Sequence, residues 1–162
     1  MRYWPQFRCR YGKIELGDRV FTRNGVILDA QTGTIKVGDD VSINDYSILL
    51  GHGGIVIGNN VRIAAQVVIA SFEHSYENPD VPIRLQSIRK DGVFIGDDVW
   101  IGAGAKVLAG SHIARGCVIG ANSVVKGSTV PFGIYVGAPA RLVKTRIAAG
   151  DTKSEHDTRS AD

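Results

Sequence analysis

The sequence predicts an all-β fold, a parallel β-helix wound as a triangular prism of about five coils, with one long loop and a short C-terminal helix. Three observations predict it. Ile or Val recurs at every sixth position from Ile95 through Ile101, Val107, Ile113 and Ile119 to Val125. A second register lies two residues earlier (Val93, Val99, Ala105, Ser111, Cys117, Ser123, Thr129) and holds only small or β-branched residues. Gly, Asn and Asp gather between the paired positions, as in Gly38-Asp39-Asp40, Gly58-Asn59-Asn60 and Gly96-Asp97-Asp98. Two inward residues separated by one outward residue make a short strand of period two. Gly, Asn and Asp tolerate the left-handed backbone of a sharp corner. Three such units close a coil, and stacked coils pair edge to edge as parallel sheets. A helix of about 3.6 residues per turn does not keep a six-residue period on one face, and the β-branched content also disfavours it.

The elements follow in order. Residues 1–13 are a basic N-terminal segment outside the hexads. The β-helix runs over 14–137. Its first coil pairs Ile14, Val20 and Val26 with Leu16, Thr22 and Leu28. The next coils repeat the pattern from Ile35 and from Ile55. Three interruptions break the coil: three extra residues around Asp29–Thr34, two near Gly51–Gly54, and a long excursion over 71–92. A loop of that length in a compact domain is usually functional or disordered. This one holds Phe72, Tyr76, Pro79, Pro82 and Ile83, which can pack, so a functional loop is expected. Ile134-Tyr135-Val136 closes a last partial coil. Residues 138–149 are expected to form a short basic helix, with Pro139 in its first turn. The polar tail 150–162 is expected to be disordered.

Composition bounds the function. A chain of 162 residues, 44% hydrophobic and 22% charged, suits one globular domain. A net charge of +3 without a basic stripe argues against nucleic acid. Arg141, Lys144 and Arg146 are either solvated surface charge or the contact for an anionic cofactor. Cys9 and Cys117 have no metal or disulfide spacing. No apolar run reaches the length of a membrane span, and the N-terminus has no signal-peptide core. A cytoplasmic location is the expectation.

Three motifs carry a resemblance. They are the loop with Glu73-His74-Ser75, then IGDDVWIGAGAKVLAG, then VIGANSVVKGSTVPFGIYVGAPARLVK. From Val37 to Lys144 the chain resembles the hexapeptide-repeat acetyltransferases: the maltose, galactoside and nodulation-factor O-acetyltransferases, and those of exopolysaccharide and lipopolysaccharide clusters. The resemblance implies a left-handed β-helix, acetyl-CoA as co-substrate with no metal, a sugar-type acceptor and a homotrimer with sites between subunits. It also implies site residues. His74 matches the general base. Asn44 matches an asparagine that binds the acceptor, and Trp100 a tryptophan beside the site. Ala103 and Ala121 match positions whose backbone lines the pantetheine groove, and Arg141 and Lys144 match basic positions near the nucleotide of CoA. Lys126 stands one position from where many relatives carry a lysine. His52 occupies a position that is acidic in the galactoside and maltose enzymes.

The chemistry fits these types. An alcohol needs a base to take its proton as it attacks a thioester, and histidine has the pKa for it. The residues alone leave alternatives open. His74 can be a surface loop histidine, His52 and Asn44 corner residues, and Trp100 a packing residue. Two other functions compete. A γ-type carbonic anhydrase shares the fold but needs three zinc-binding histidines, and His52, His74 and His112 lack its close histidine pair. A non-catalytic scaffold would give the long loop no role.

Overall fold

The computed structural model describes residues 4–146. Its strands form three parallel sheets, one on each face of a prism. Sheet I stacks Gln6–Cys9, Ile27–Gln31, Ile48–Leu50, Val68–Ala70, Lys106–Val107 and Val124–Val125. Sheet II stacks Lys13–Leu16, Thr34–Val37, Ile55–Ile57, Val93–Ile95 and His112–Ile113. Sheet III stacks Phe21–Thr22, Ser42–Ile43, Arg62–Ile63, Trp100–Ile101, Val118–Ile119 and Gly133–Val136, and is closed by Arg141–Thr145.

The hexad registers are the core. Ile43, Ile63, Ile101 and Ile119 stack on successive coils with no exposure, and Leu28, Leu49, Ile69 and Val107 do the same behind sheet I. Each fully buried Ile or Leu contributes about 1.5–3 kcal/mol. The second register packs beside the first, with Ile35, Ile55 and Val93 fully buried and smaller residues such as Ala105, Ser111 and Cys117 on later coils. The buried serines are all bonded: Ser47 Oγ donates to the Ala64 carbonyl (2.8 Å), Ser71 Oγ to Leu50 (3.0 Å) and Ser111 Oγ to Val125 (3.2 Å), while Ser123 Oγ accepts from the Gly137 N–H (3.0 Å).

The corners carry the left-handed residues that the turn chemistry predicts, among them Asp40, Asn60, Asp98 and Asn122. Between sheets II and III the side chains ladder. Asp39, Asn59 and Asp97 each accept the backbone N–H of Asp18, Asp39 and Asn59 on the preceding coil, at 2.7, 2.8 and 2.7 Å. Gly116 shows why some corners require glycine. Its φ is +70°, and a Cβ there would lie 2.2 Å from the Phe132 ring.

Two expectations are corrected. The solenoid starts before residue 14: Gln6–Cys9 pairs in parallel with Ile27–Gln31 and gives sheet I six rungs rather than about five, and Gly133–Val136 of the partial coil gives sheet III its sixth. The side-chain pattern missed Gln6–Cys9 because its side chains are all exposed and only its backbone pairs. The segment expected to be helical is a strand over Arg141–Thr145, antiparallel to Gly133–Val136. A helix that short is marginal alone, whereas the last rung of sheet III offers a row of unpaired backbone groups. Leu142, Val143 and Thr145 suit that edge. Positions 147–149 of the expected helix and the tail 150–162 lie outside the described residues.

Candidate active site

The long excursion leaves the corner between sheets I and II and is a hairpin. Phe72–His74 pairs antiparallel with Ile88–Lys90, and a single 3-10 turn, Ile83–Leu85, lies between them. Its base is tied to the two coils before it: Ser71 Oγ accepts the Gly53 N–H (2.9 Å) on the nearer and Lys90 Nζ donates to Thr32 Oγ1 (2.8 Å) on the farther. Its tip is held by Gln86, whose Nε2 donates to the carbonyls of Asn78 and Val81 at 2.9 and 2.7 Å.

Strand alternation sorts the three residues of the first arm. Phe72 and His74 share one face, and Glu73 turns to the other. The His52 ring stacks flat on Phe72 (centroids 4.1 Å, interplanar angle 3°), and His74 meets Phe72 edge-on (6.4 Å, 74°). His74 ends the row and is exposed. Burial pushes the His52 imidazole below its ordinary pKa, Asp29 opposes this and Lys90 adds to it, so the neutral ring is favoured. On the other face Glu73 accepts from Arg89 (2.5 Å) and from Lys126 Nζ (3.0 and 3.3 Å). The Lys126 bond holds the Glu73 carboxyl below the usual range, against a smaller opposing effect of burial, and Arg89 assists. Lys126 thus ties the last coil to the hairpin.

The other residues named from sequence lie elsewhere. Asn44 stands at the corner between sheets III and I, where its Nδ2 donates to the Ile63 carbonyl (2.7 Å). Strand Ile48–Leu50 separates it from His52, so one chain holds Asn44 and His74 at opposite edges of sheet I and does not bring them together. Ala103 and Ala121 occupy the Asn44 corner on later coils. Both are exposed, and the Ala103 carbonyl accepts the Asn122 N–H (2.8 Å). Trp100 is 56% exposed on the outer face of sheet III, in register with Arg62. Arg141 and Lys144 are exposed on the closing strand. His112 stands on sheet II, 6.0 Å from the Phe94 ring. Among the described residues no three His, Cys, Asp or Glu side chains are grouped to hold a metal ion.

Sequence reasoning missed three features. Phe72 carries the stack, and the alternation in Phe72-Glu73-His74 was the available signal. The Glu73, Arg89 and Lys126 network joins residues far apart in the chain and left no local signal. An open concavity of about 530 Å³ beside Asn44, lined by Arg19, Phe21, Arg23, Asp40 and Arg62, depends on how rungs stack.

Comparison with known proteins is consistent with this arrangement. Residues 92–127 match the family model "Bacterial transferase hexapeptide (six repeats)". The chain is 34% identical over 138 residues to the dTDP-4-amino-4,6-dideoxy-D-glucose acyltransferase of Escherichia coli, covering 82% of this chain and 72% of that one. It is 28% identical over 140 residues to the galactoside O-acetyltransferase of Lactococcus lactis, covering 86% of this chain and 66% of the relative. Across its first curated relatives the chain spans from 45% to 76% of their length. Among solved structures it superposes on the N-acyltransferase AntD of Bacillus cereus, solved with dTDP and coenzyme A, with a TM-score of 0.78 and 26% identity over 88% of this chain and 78% of AntD. The hexad core, the hairpin at one corner and these relatives agree: the chain belongs to the hexapeptide-repeat acyltransferase family.

Proposed function

We propose that this protein transfers an acetyl group from acetyl-CoA to a hydroxyl of a sugar, sugar nucleotide or glycan intermediate, directly and with His74 as general base. One observation carries the reading: His74 is the exposed end of an aromatic row, with Phe72 and His52 packed behind it. A base held this way has one free ring edge for a substrate proton. His74 takes the hydroxyl proton as the oxygen attacks the thioester carbonyl. The C–O bond forms, the C–S bond breaks, and the proton passes to the departing CoA sulfur. Neither cysteine serves as a nucleophile: Cys117 is buried, and Cys9 stands three rungs before the strand that leads into the hairpin.

Acetyl-CoA fits the opposite corner. Ala103 and Ala121 expose backbone along it, and Arg141 and Lys144 lie on the closing strand without an ion pair among the described residues. Lys126 stands at the hairpin corner instead, where it fixes the hairpin through Glu73 and reaches the cofactor held by the neighbouring copy. Asn44 holds the acceptor, and His52 and Trp100 line its site.

The two half-sites belong to neighbouring copies in a homotrimer. Support comes from exposed apolar surface. Tyr76, Ile83, Leu85 and Ile88 of the hairpin are 46–70% exposed, and the outer face of sheet I presents Ile27, Ile48, Leu50 and Val68. Packing sheet I against a second copy covers both and sets the hairpin of one chain against the Asn44 corner of the next. No helix among the described residues is long and apolar enough to cross a membrane, and a cytoplasmic location is part of the proposal.

The test is an acceptor screen on the full chain with acetyl-CoA, read by free thiol release and product mass. Acceptor-dependent thiol release with an O-acetylated product supports the reading. A protein that neither binds CoA nor releases thiol with any acceptor is a scaffold, and a product acetylated only on nitrogen corrects the acceptor to an amine.

A further inference from the structure

We infer that the outer face of sheet III between Phe21 and Trp100 binds a phosphate or pyrophosphate ester, so the acceptor is a phosphate-linked sugar rather than a free one. Naming that ligand the acceptor rests on the acyl-transfer reading above. The anion site itself rests on geometry.

Four outward side chains share one column. Phe21 pairs with Ser42, Ser42 with Arg62, and Arg62 with Trp100 on successive rungs. Rungs are about 4.8 Å apart, so the column spans about 14 Å from aromatic to aromatic. Phe21 is 68% and Trp100 56% exposed. Two bare aromatic faces thus bracket a hydroxyl and a guanidinium. The concavity beside this column is lined by three arginines, Arg19, Arg23 and Arg62, and one carboxylate, Asp40, which leaves two positive charges uncompensated.

The arginines are not equivalent. Arg19 is taken by Asp40 in a two-point pair, Nε to Oδ1 at 2.6 Å and Nη2 to Oδ2 at 2.7 Å. Arg62 donates through Nη1 to the backbone carbonyls of Asp40 and Val61, which orients the guanidinium near the Asp40 carboxylate already paired with Arg19 and leaves its other nitrogens unbonded among the described residues. Arg23 has no side-chain bond among the described residues. A planar fork with unspent donors suits phosphate oxygens. Solvated surface arginines need no shared concavity; this pair lines one with Phe21, and Arg62 also stands in the column between Phe21 and Trp100. Asn44 lines the same concavity, which puts the anion next to the residue assigned to the acceptor. The groove is not the nucleotide end of CoA, because Arg141 and Lys144 close sheet III at its far end.

The experiment is calorimetric titration of the full chain with inorganic pyrophosphate, uridine diphosphate, glucose 1-phosphate, glucose and CoA. It compares wild type with an Arg23→Gln/Arg62→Gln variant whose melting temperature is checked first. Pyrophosphate and uridine diphosphate are expected to bind with an affinity that falls as salt rises. The variant is expected to lose about tenfold or more for both, as for lost charge-assisted hydrogen bonds, with CoA affinity unchanged. Uridine diphosphate binding tenfold tighter than pyrophosphate, with the gain lost in Phe21→Ala, identifies a nucleotide sugar. Equal binding of the two identifies a sugar phosphate or a lipid-linked pyrophosphate. Either result upholds the site. Glucose binding as tightly as glucose 1-phosphate overturns it, as does a variant that keeps wild-type pyrophosphate affinity or loses CoA affinity in parallel. Absence of CoA binding in wild type overturns the acyl-transfer reading and leaves the anion titration to be judged alone.

Discussion

His74 owes its position to Phe72, whose ring lies between two histidines on one strand face. Phe72→Ala removes the support and keeps the base. It is expected to lower kcat about tenfold with KM little changed, because a misplaced base costs transition-state stabilisation and not binding. Steady-state kinetics check this. Glu73 works on the opposite face. Its carboxyl lies below its ordinary value of 4.5 because Lys126 and Arg89 favour the charged form. The unfolded chain therefore holds the Glu73 proton more tightly than the folded one. The pairing contributes fully above about pH 4.5 and is lost as pH falls through the folded value. Its partners are more than half exposed, so the contribution is under about 1 kcal/mol. Glu73→Gln is expected to lower the melting temperature slightly at pH 7, and the difference is expected to shrink as pH falls below the ordinary carboxylate range. Thermal melts across that range check it.

At the scale of the element, the coil depends on what its corners and its inner column accept. Gly116→Ala places a Cβ against the Phe132 ring at a left-handed position. It is expected to cost about 1–2 kcal/mol from the backbone alone, read as a fall in melting temperature. Ile63→Ala empties the middle of the sheet III column and is expected to cost 2–5 kcal/mol, as large-to-small core changes do; chemical denaturation measures it. These columns were legible in the sequence because a six-residue repeat of side chains is what the stacking requires. Gln6–Cys9 and Arg141–Thr145 were not. Both join sheets through backbone pairing alone, with exposed side chains that carry no hexad signal. The site divided the same way. His74 and Asn44 were named by motif, whereas the Phe72 stack and the arginine concavity required knowing which rungs sit side by side.

The whole molecule is a prism with unlike faces. Sheet I presents aliphatic side chains outward, sheet II is largely polar with Lys13, Glu15, Lys36 and His112, and sheet III carries the arginine and tryptophan column. The proposed self-association through sheet I accounts for the placement of His74 and Asn44 at opposite edges of that face. Leu50→Arg with Val68→Arg is expected to shift the mass in solution from three chains to one and to abolish turnover while the single prism stays folded, as seen by light scattering and circular dichroism. The central claim, acyl transfer with His74 as base, is tested most directly by turnover of His74→Ala at saturating acetyl-CoA, with CoA affinity measured in parallel. The account predicts a loss of about 10²–10⁴-fold with CoA affinity and assembly unchanged. Near-normal turnover in that variant would contradict it.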